Sequence, residues 1–217
     1  MDNYSIEQLI LAGILPVLFA ITMHEVAHGW MARLLGDDTA ERQGRLSFNP
    51  LHHVDPLGTI ILPGLMLAMK TGFMFGWAKP VPVTASRLRN PRKGMMLVAL
   101  AGPASNILMA LFWAIVARAA GFLDESSPYL NPLMLMSQIG IMFNILMAVF
   151  NMIPLPPLDG GRLVLEMLPY NAAQKYSRLE PYGFFILIGL MYTGILNVFI
   201  TIPMHLLRGI MMGIAGL

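Results

Sequence analysis

Long stretches without a charged side chain constrain this chain more than any other feature. Residues 95–117, 131–158 and 181–207 form three of them, and each has the roughly 20 residues that a helix needs to cross a bilayer. A fourth stretch, 9–24, continues through Glu25 and predicts a helix from about Ile6 to Leu35. Only 12% of the residues are charged, against about a quarter in an average soluble domain. We therefore expect an all-α polytopic membrane protein with about four to six transmembrane helices.

A fifth apolar segment, residues 57–69, is short enough either to cross the membrane or to re-enter it. The positive-inside rule bears on this choice. Lys and Arg residues cluster between 70 and 93 and between 162 and 178, and none precedes the first apolar stretch, so both loops are expected in the cytoplasm and the N-terminus outside. The arginines between 33 and 45 would also be cytoplasmic. Both ends of the fifth segment then lie on one side, which favours a re-entrant or extended segment.

Composition excludes several classes of function. The chain has no cysteine, so disulfides and thiolate metal sites are ruled out, and any metal must be held by His, Asp or Glu. The net charge of +2 comes from loop clusters, without a basic face and interleaved aromatics, so no nucleic-acid partner is expected. The N-terminus lacks the Lys or Arg of a signal peptide and predicts a retained helix. We expect one integral-membrane domain over 1–217, with its core at about 15–165 and a C-terminal span at about 181–207.

The first apolar helix carries the motif His-Glu-x-x-His at residues 24–28. Because His24 and His28 are four residues apart, both imidazoles project from one face of a helix, at the spacing that grips one metal ion. Glu25 lies one residue further round the helix, where its carboxylate can reach a water molecule at the metal. A solvated helix face is the alternative, but two histidines and a carboxylate at membrane depth are costly unless they face a polar interior. The motif therefore favours a metal site.

A catalytic zinc ion takes three protein ligands, so two histidines leave the site one ligand short. The metzincin pattern would need Gly and His where this chain has Met31 and Leu34, and a thermolysin-like Glu some twenty residues after the motif is also absent. The remaining candidates for the third ligand are Asp159, Glu166, Glu180, His52, His53 and His205.

Asp159 is the favoured third ligand because of the sequence that precedes it. It ends the longest uncharged run, and Pro154, Pro156 and Pro157 prevent that run from forming a continuous helix. Irregular backbone at membrane depth is tolerated only where it is buried in protein or lines a wet cavity. The alternative is that Asp159 caps a helix over 162–168, and the two roles can coexist. The sequence thus predicts a proline-broken helix at the active site.

Three motifs together resemble the site-2 proteases of the compact type, without PDZ or CBS domains. They are His-Glu-x-x-His at 24–28, Gly-Pro-x-x-Asn at 102–106, and Asn-x-x-Pro-x-x-Pro-x-Asp-Gly at 151–160. The resemblance implies one Zn²⁺ per chain held by His24, His28 and Asp159. It also implies that Glu25 activates zinc-bound water and that Asn151 lies near the scissile bond or its oxyanion.

The function implied by the resemblance is regulated intramembrane proteolysis. Such an enzyme hydrolyses a peptide bond within or near a transmembrane segment of a membrane-protein substrate. The protein would be a multi-pass protein of the cell membrane, in contact with the lipid bilayer. Its active site would lie within the membrane and open toward the cytoplasm.

Several polar residues outside the ligand set have weaker claims. In the second motif, Gly102 and its small neighbours allow helices to approach closely, so we interpret Asn106 as part of the packing around the site. His52 and His53 are expected at the membrane interface, with contact to a gate or a substrate as the alternative, and His205 is expected to be structural.

The sequence Lys-Pro-Val-Pro-Val at 79–83 suits either of two structures. As an edge strand it would pair with an unwound substrate, since its valines keep the N–H groups that its prolines lack. Alternatively, it is a rigid polyproline-like connector.

Three other functions fit parts of the sequence. A metal transporter would use intramembrane histidines and carboxylates as a transit path, and several such sites on different helices would be expected. An inactive scaffold would keep the fold but would not need Glu25. A CaaX-type prenyl-protein protease would take Glu166 or Glu180 as its third ligand in place of Asp159. The sequence indicates neither the substrate nor the oligomeric state.

Overall fold

The computed structural model describes residues 4–69 and 76–217, and within these ranges all regular structure is helical. Four helices are long and apolar enough to cross a membrane. They are α1 (Ile6–Leu34), α4 (Pro91–Ala120), α5 (Leu130–Asn151) and α9 (Ile195–Ala215). The described residues also form five shorter α-helices: α2 (Thr39–Arg42), α3 (Leu62–Ala68), α6 (Asp159–Met167), α7 (Tyr170–Ser177) and α8 (Gly183–Tyr192). The prediction of an all-α polytopic membrane protein is confirmed.

Helix α1 has the predicted length because its start is capped and its interior is apolar. The Ser5 hydroxyl accepts the N–H of Gln8, and the Gln8 side chain accepts the N–H of Ser5, which forms a capping box. Pro16 lies inside the helix without ending it. The helix therefore carries residues 24–28 unbroken through the interior of the protein.

The core forms where α4 packs against α5. A Cβ on Gly140 of α5 would collide with the Trp113 ring of α4, so the missing side chain lets the two helices approach closely. Ile141 and Ile145 of α5 are fully buried beside this contact. Helix α9 adds Met211 to the same cluster. Helix α4 is thus the central helix, and α1, α5, α6 and α9 all pack against it.

The uncharged run 131–158 is not one helix. Helix α5 ends at Asn151, and the proline-rich residues 152–158 turn the chain before α6 starts. A Cβ on Gly160 would clash with the Met152 carbonyl, and one on Gly161 would clash with the Pro156 nitrogen. The start of α6 therefore packs directly on the broken backbone that precedes it, as the prolines predicted.

The predicted C-terminal span over 181–207 is wrong in its extent. The structure divides this run into α8 and α9, and it continues α9 to Ala215. The break lies at Thr193 and Gly194, where Gly194 has a φ of 73°, a left-handed conformation that costs glycine little. Of α8 and α9, only α9 is long enough to cross a membrane.

The described residues on either side of 70–75, at the end of the segment expected to re-enter the membrane, are in contact with each other. Pro56–Ile61 forms a π-helical turn that leads into α3. The Trp77 N–H donates to the Gly58 carbonyl at 3.1 Å, and the Thr59 hydroxyl donates to the Trp77 carbonyl at 2.8 Å. Residues 58 and 59 therefore lie beside residue 77. Residues 70–75 lie outside the described part of the chain, so re-entry stays a prediction.

Candidate metal and catalytic site

Three side chains from distant parts of the chain converge inside the bundle. His24 and His28 lie on one face of α1, and Asp159 is the first residue of α6. The two imidazole Nε2 atoms are 3.1 Å apart, and Asp159 Oδ2 lies 3.2 Å from that of His24 and 3.3 Å from that of His28. All three residues are buried. Within 4–69 and 76–217, no other group of three such side chains could hold a metal ion.

Hydrogen bonds at the far side of each ring fix which imidazole nitrogen carries the proton. His28 Nδ1 lies 2.7 Å from the Val98 carbonyl, and His24 Nδ1 lies 2.7 Å from Asn106 Oδ1. Carbonyl oxygens only accept, so both Nδ1 atoms are the donors. Both Nε2 atoms therefore present bare lone pairs toward Asp159, which is the form in which histidine binds a metal.

The three facing atoms fit a zinc ion. In a tetrahedral site with ligands at about 2.0–2.1 Å, two ligand atoms lie about 3.3 Å apart, close to the three separations here. Among the described residues, buried Asp159 Oδ2 has no hydrogen-bond partner, since neither Nε2 has a proton to offer. Three electron-rich atoms would repel one another at these distances without a cation between them. Two imidazoles and one carboxylate are also a typical donor set for catalytic zinc.

Gly102 of α4 makes room for the two histidines. A Cβ at this position would collide with His28 Nε2 and would lie 2.6 Å from His24 Cε1. The backbone of α4 therefore passes directly beneath the imidazoles. The glycine of the Gly-Pro-x-x-Asn motif thus acts at the site as well as in helix packing.

Asn106 also has a more direct role than the packing that the sequence suggested. Its side chain is fully buried, and its amide nitrogen donates to the Ala20 carbonyl at 3.1 Å and to Asn144 Oδ1 at 3.0 Å. Asn144 in turn donates to the Gly140 carbonyl at 2.8 Å. This chain of hydrogen bonds leaves Asn106 Oδ1 aimed at His24. Neither the orienting role of Asn106 nor any role of Asn144 was predicted.

Asp159 is free to face the histidines because it does not cap its own helix. The N-cap of α6 is Leu158, and no side chain closes this end, so the alternative of Asp159 as a cap is wrong. The far end of α6 is held by Arg92 from the first turn of α4. Its guanidinium donates to the carbonyls of Glu166, Met167 and Leu168, three orphan acceptors at a helix C-terminus.

Glu25 lies beside the metal-ligand cluster in the chain and contacts the segment at residues 79–83. Its carboxylate is half-buried, and Oε2 accepts the N–H of Val81 at 2.9 Å. Residues 76–84 form neither a strand nor a helix. The Val81 N–H, which the edge-strand interpretation left open for a substrate, is therefore bound to Glu25 in this structure.

The remaining predicted residues lie outside the cluster. Asn151 ends α5, and its amide donates to the Met147 carbonyl at 3.0 Å, so its place near a scissile bond stays a prediction. His52 is exposed, whereas His53 is buried and bonds through Nε2 to the Ser47 carbonyl at 2.8 Å. The interfacial position expected for both histidines stays a prediction. His205 is exposed on α9.

Two glutamates were alternative third ligands, and neither reaches the histidines. Glu166 lies near the end of α6, where burial raises the pKa of its carboxyl and the charge of Arg92 partly opposes the rise. Glu180 is exposed at the start of a short 3₁₀ turn. A prenyl-protein protease with either glutamate as its zinc ligand is therefore not supported.

Comparisons with known proteins agree on one family. The model of peptidase family M50 matches residues 124–193, a range that includes Asn151 and Asp159. YwhC of Bacillus subtilis (strain 168), provisionally named a zinc metalloprotease, is 37% identical over 182 residues, which cover 83% of this chain and 80% of YwhC. Rip2 of Mycolicibacterium smegmatis (strain ATCC 700084 / mc(2)155), also provisionally named a zinc metalloprotease, is 28% identical over 87% of this chain and 68% of its own length. No solved structure matches. The chain belongs to peptidase family M50, the site-2 protease family of integral-membrane zinc metalloproteases.

Proposed function

We propose that this protein is an intramembrane zinc endopeptidase that cleaves a peptide bond within or near a transmembrane segment of a protein substrate. One observation supports it above all. Two bare imidazole nitrogens and one unpartnered carboxylate oxygen converge within 3.3 Å of one another inside a membrane-spanning bundle. A further carboxylate, Glu25, follows the first of these histidines in the chain.

The residues divide into ligands and a base. His24, His28 and Asp159 would hold one Zn²⁺, which supplies Lewis acidity that activates water and polarises a carbonyl when bound. Glu25 accepts the proton of the attacking water and returns it to the leaving amine nitrogen. Asn151 would assist at the developing oxyanion once its amide leaves the Met147 carbonyl. Asn106 keeps the His24 proton on Nδ1, so that Nε2 stays free.

The depth of the site supports a substrate that is itself a membrane helix. His28, which faces Asp159, lies six residues, or about 9 Å, before the end of α1 at Leu34. His24 lies about 27 Å along the helix from its start at Ile6. Arg89 lies on the Leu34 side, where its N–H donates to the Leu35 carbonyl, and nearby Arg92 contacts the end of α6. The positive-inside rule makes this basic side cytoplasmic. We therefore infer a site that opens toward the cytoplasm of a cell-membrane protein.

A substrate helix must unwind locally before its carbonyls can be attacked, because intrahelical hydrogen bonds hide them. The whole chain, 1–217, would act as one protease domain. The transporter alternative needs several ligand clusters along a path, and the part of the chain that the structure describes contains one. An inactive scaffold would have no use for Glu25.

Cleavage in reconstituted membranes tests this function. The purified protein would be placed in liposomes with a panel of single-span membrane proteins whose termini carry two different tags. We expect wild type to cleave at least one of them at a point inside or next to its span, and Glu25→Gln to lose cleavage while retaining zinc. Exposed Glu180→Gln serves as the matched control and should cleave normally. Cleavage that persists in Glu25→Gln would refute the assigned base.

A further inference from the structure

Residues 80–82 present a single backbone N–H to Glu25, the proposed general base. Pro80 and Pro82 have no N–H, so Val81 supplies the only amide donor of residues 80–82. That donor is bound to Glu25 Oε2 at 2.9 Å. The bond joins residues 56 positions apart and needs the whole segment to be held in place.

The N-terminal side of Val81 is fixed by two neighbouring loops. The Lys79 N–H donates to the His53 carbonyl at 2.9 Å. The Arg45 guanidinium donates to the Lys79 carbonyl at 2.8 Å and to the Pro80 carbonyl at 3.3 Å. Hydrogen bonds therefore hold both residues that precede Val81, although they belong to no helix or strand.

The C-terminal side is fixed by a buried carboxylate that the proteolytic mechanism does not use. Asp37 follows the end of α1 and is fully buried. Its Oδ2 accepts the N–H of Thr84 at 2.6 Å, and its Oδ1 accepts both the N–H and the hydroxyl of Thr39. The Thr39 and Thr84 hydroxyls are also hydrogen-bonded to each other at 2.9 Å. Asp37 thus ties residue 84 to the helix that carries the catalytic motif.

Packing holds Val81 itself against that helix. Its side chain is buried, and a Cβ on Gly29 of α1 would lie 2.8 Å from Val81 Cγ1. The glycine one position after the second histidine therefore lets the segment rest on the backbone of α1. Four residues separate this contact from Glu25, one helical turn along the same face.

We propose that Val81 is a positioning residue for the general base. Its N–H fixes one carboxylate oxygen of Glu25 and leaves the other oxygen to take the proton of water. Asp37 maintains this contact by holding the segment at Thr84. The inference rests on the proposed function through the role of Glu25, but the contact itself can be tested without a substrate.

The sharpest perturbation replaces one amide by an ester. Incorporation of the α-hydroxy analogue of valine at position 81 exchanges N–H for O and leaves the side chain unchanged. The same exchange at Val83 is a matched control, because Val83 also follows a proline and its N–H has no partner within residues 4–69 and 76–217. We expect kcat to fall at least about tenfold for the Val81 ester, with KM and zinc content unchanged, and to stay within about twofold for the Val83 ester.

The hydrogen bond between Val81 and Glu25 can be tested without a substrate by measuring the chemical shift of the Val81 amide proton in detergent micelles. Glu25→Ala should shift the Val81 amide proton upfield and leave that of Val83 in place. Asp37→Asn should also shift or broaden the Val81 signal while the protein keeps its zinc. If the chemical shift and line width of the Val81 amide proton are the same in both variants as in wild type, the contact between Val81 and Glu25 is refuted.

The kinetic result then decides the role. A Val81 ester with wild-type kcat would overturn the positioning role even if the NMR contact is present. If wild type cleaves no membrane substrate, both the proposed function and the role of Glu25 as its base are refuted. The NMR signals still report whether Val81 binds Glu25.

Discussion

Truncation of Asn106 should weaken zinc binding without unfolding the protein. In Asn106→Ala, the His24 Nδ1–H loses its acceptor in a fully buried place, and Asn144 Oδ1 loses its donor. A buried group left without its partner costs about 1–3 kcal/mol. The proton of His24 can then move to Nε2, which removes the lone pair that the metal needs.

The expected loss of zinc affinity follows from these terms. A cost of about 1–3 kcal/mol corresponds to roughly 5- to 150-fold, and substitution of a residue that orients a metal ligand typically costs 10- to 100-fold. We therefore expect a zinc dissociation constant about 10- to 100-fold above that of wild type. Competition with a chromophoric chelator in detergent would measure it.

A matched control separates this effect from general loss of packing. Ser137 on α5 is also fully buried, and its hydroxyl has no hydrogen-bond partner in the part of the chain that the structure describes. Ser137→Ala should therefore bind zinc as wild type does. An Asn106→Ala protein with wild-type zinc affinity would refute the orienting role of this amide.

Three further predictions concern the supports of the site. Gly102→Ala should reduce zinc affinity at least about tenfold in the chelator assay because its methyl group would collide with an imidazole. Gly189→Ala should not, because no described residue would lie within 4 Å of the added methyl group. Arg92→Gln should remove the hydrogen bonds to the C-terminus of α6 and raise the zinc dissociation constant several-fold, while circular dichroism shows the helix content of wild type. A wild-type dissociation constant would show that Asp159 is positioned without Arg92. Burial raises the pKa of Asp37, but hydrogen bonds from Thr39 and Thr84 and the charge of Arg87 outweigh it and hold that pKa below its usual range. The ionised Asp37 carboxylate therefore stabilises the folded protein above the unfolded-state pKa, and this stabilisation is lost as pH falls through the folded-state pKa. The difference in melting temperature between wild type and Asp37→Asn should be constant from pH 5 to 8 and shrink only in stronger acid.

The sequence predicts those parts of the fold and site that depend on local patterns. The apolar runs define α1, α4 and α5 because bilayer thickness fixes helix length. The spacing of His24 and His28 follows from helix geometry alone. Asp159 could be singled out because prolines in a membrane segment require an unusual, polar setting.

The features that the sequence did not predict depend on distant contacts. Asn106 lies in a motif of small residues, and nothing in that motif shows that its amide faces His24 on another helix. The bond from Val81 to Glu25 joins two segments whose approach is set by Asp37 and Gly29. The break between α8 and α9 has a local signal in Gly194, but an apolar run with a single glycine is also compatible with a continuous helix.

Zinc content of the purified protein tests the central claim most directly. Elemental analysis should give about one zinc per chain for wild type and for Glu166→Ala, and zinc should be lost or greatly reduced in Asp159→Ala. Zinc that is absent from wild type, or that is bound equally well without Asp159, would contradict the three-residue site.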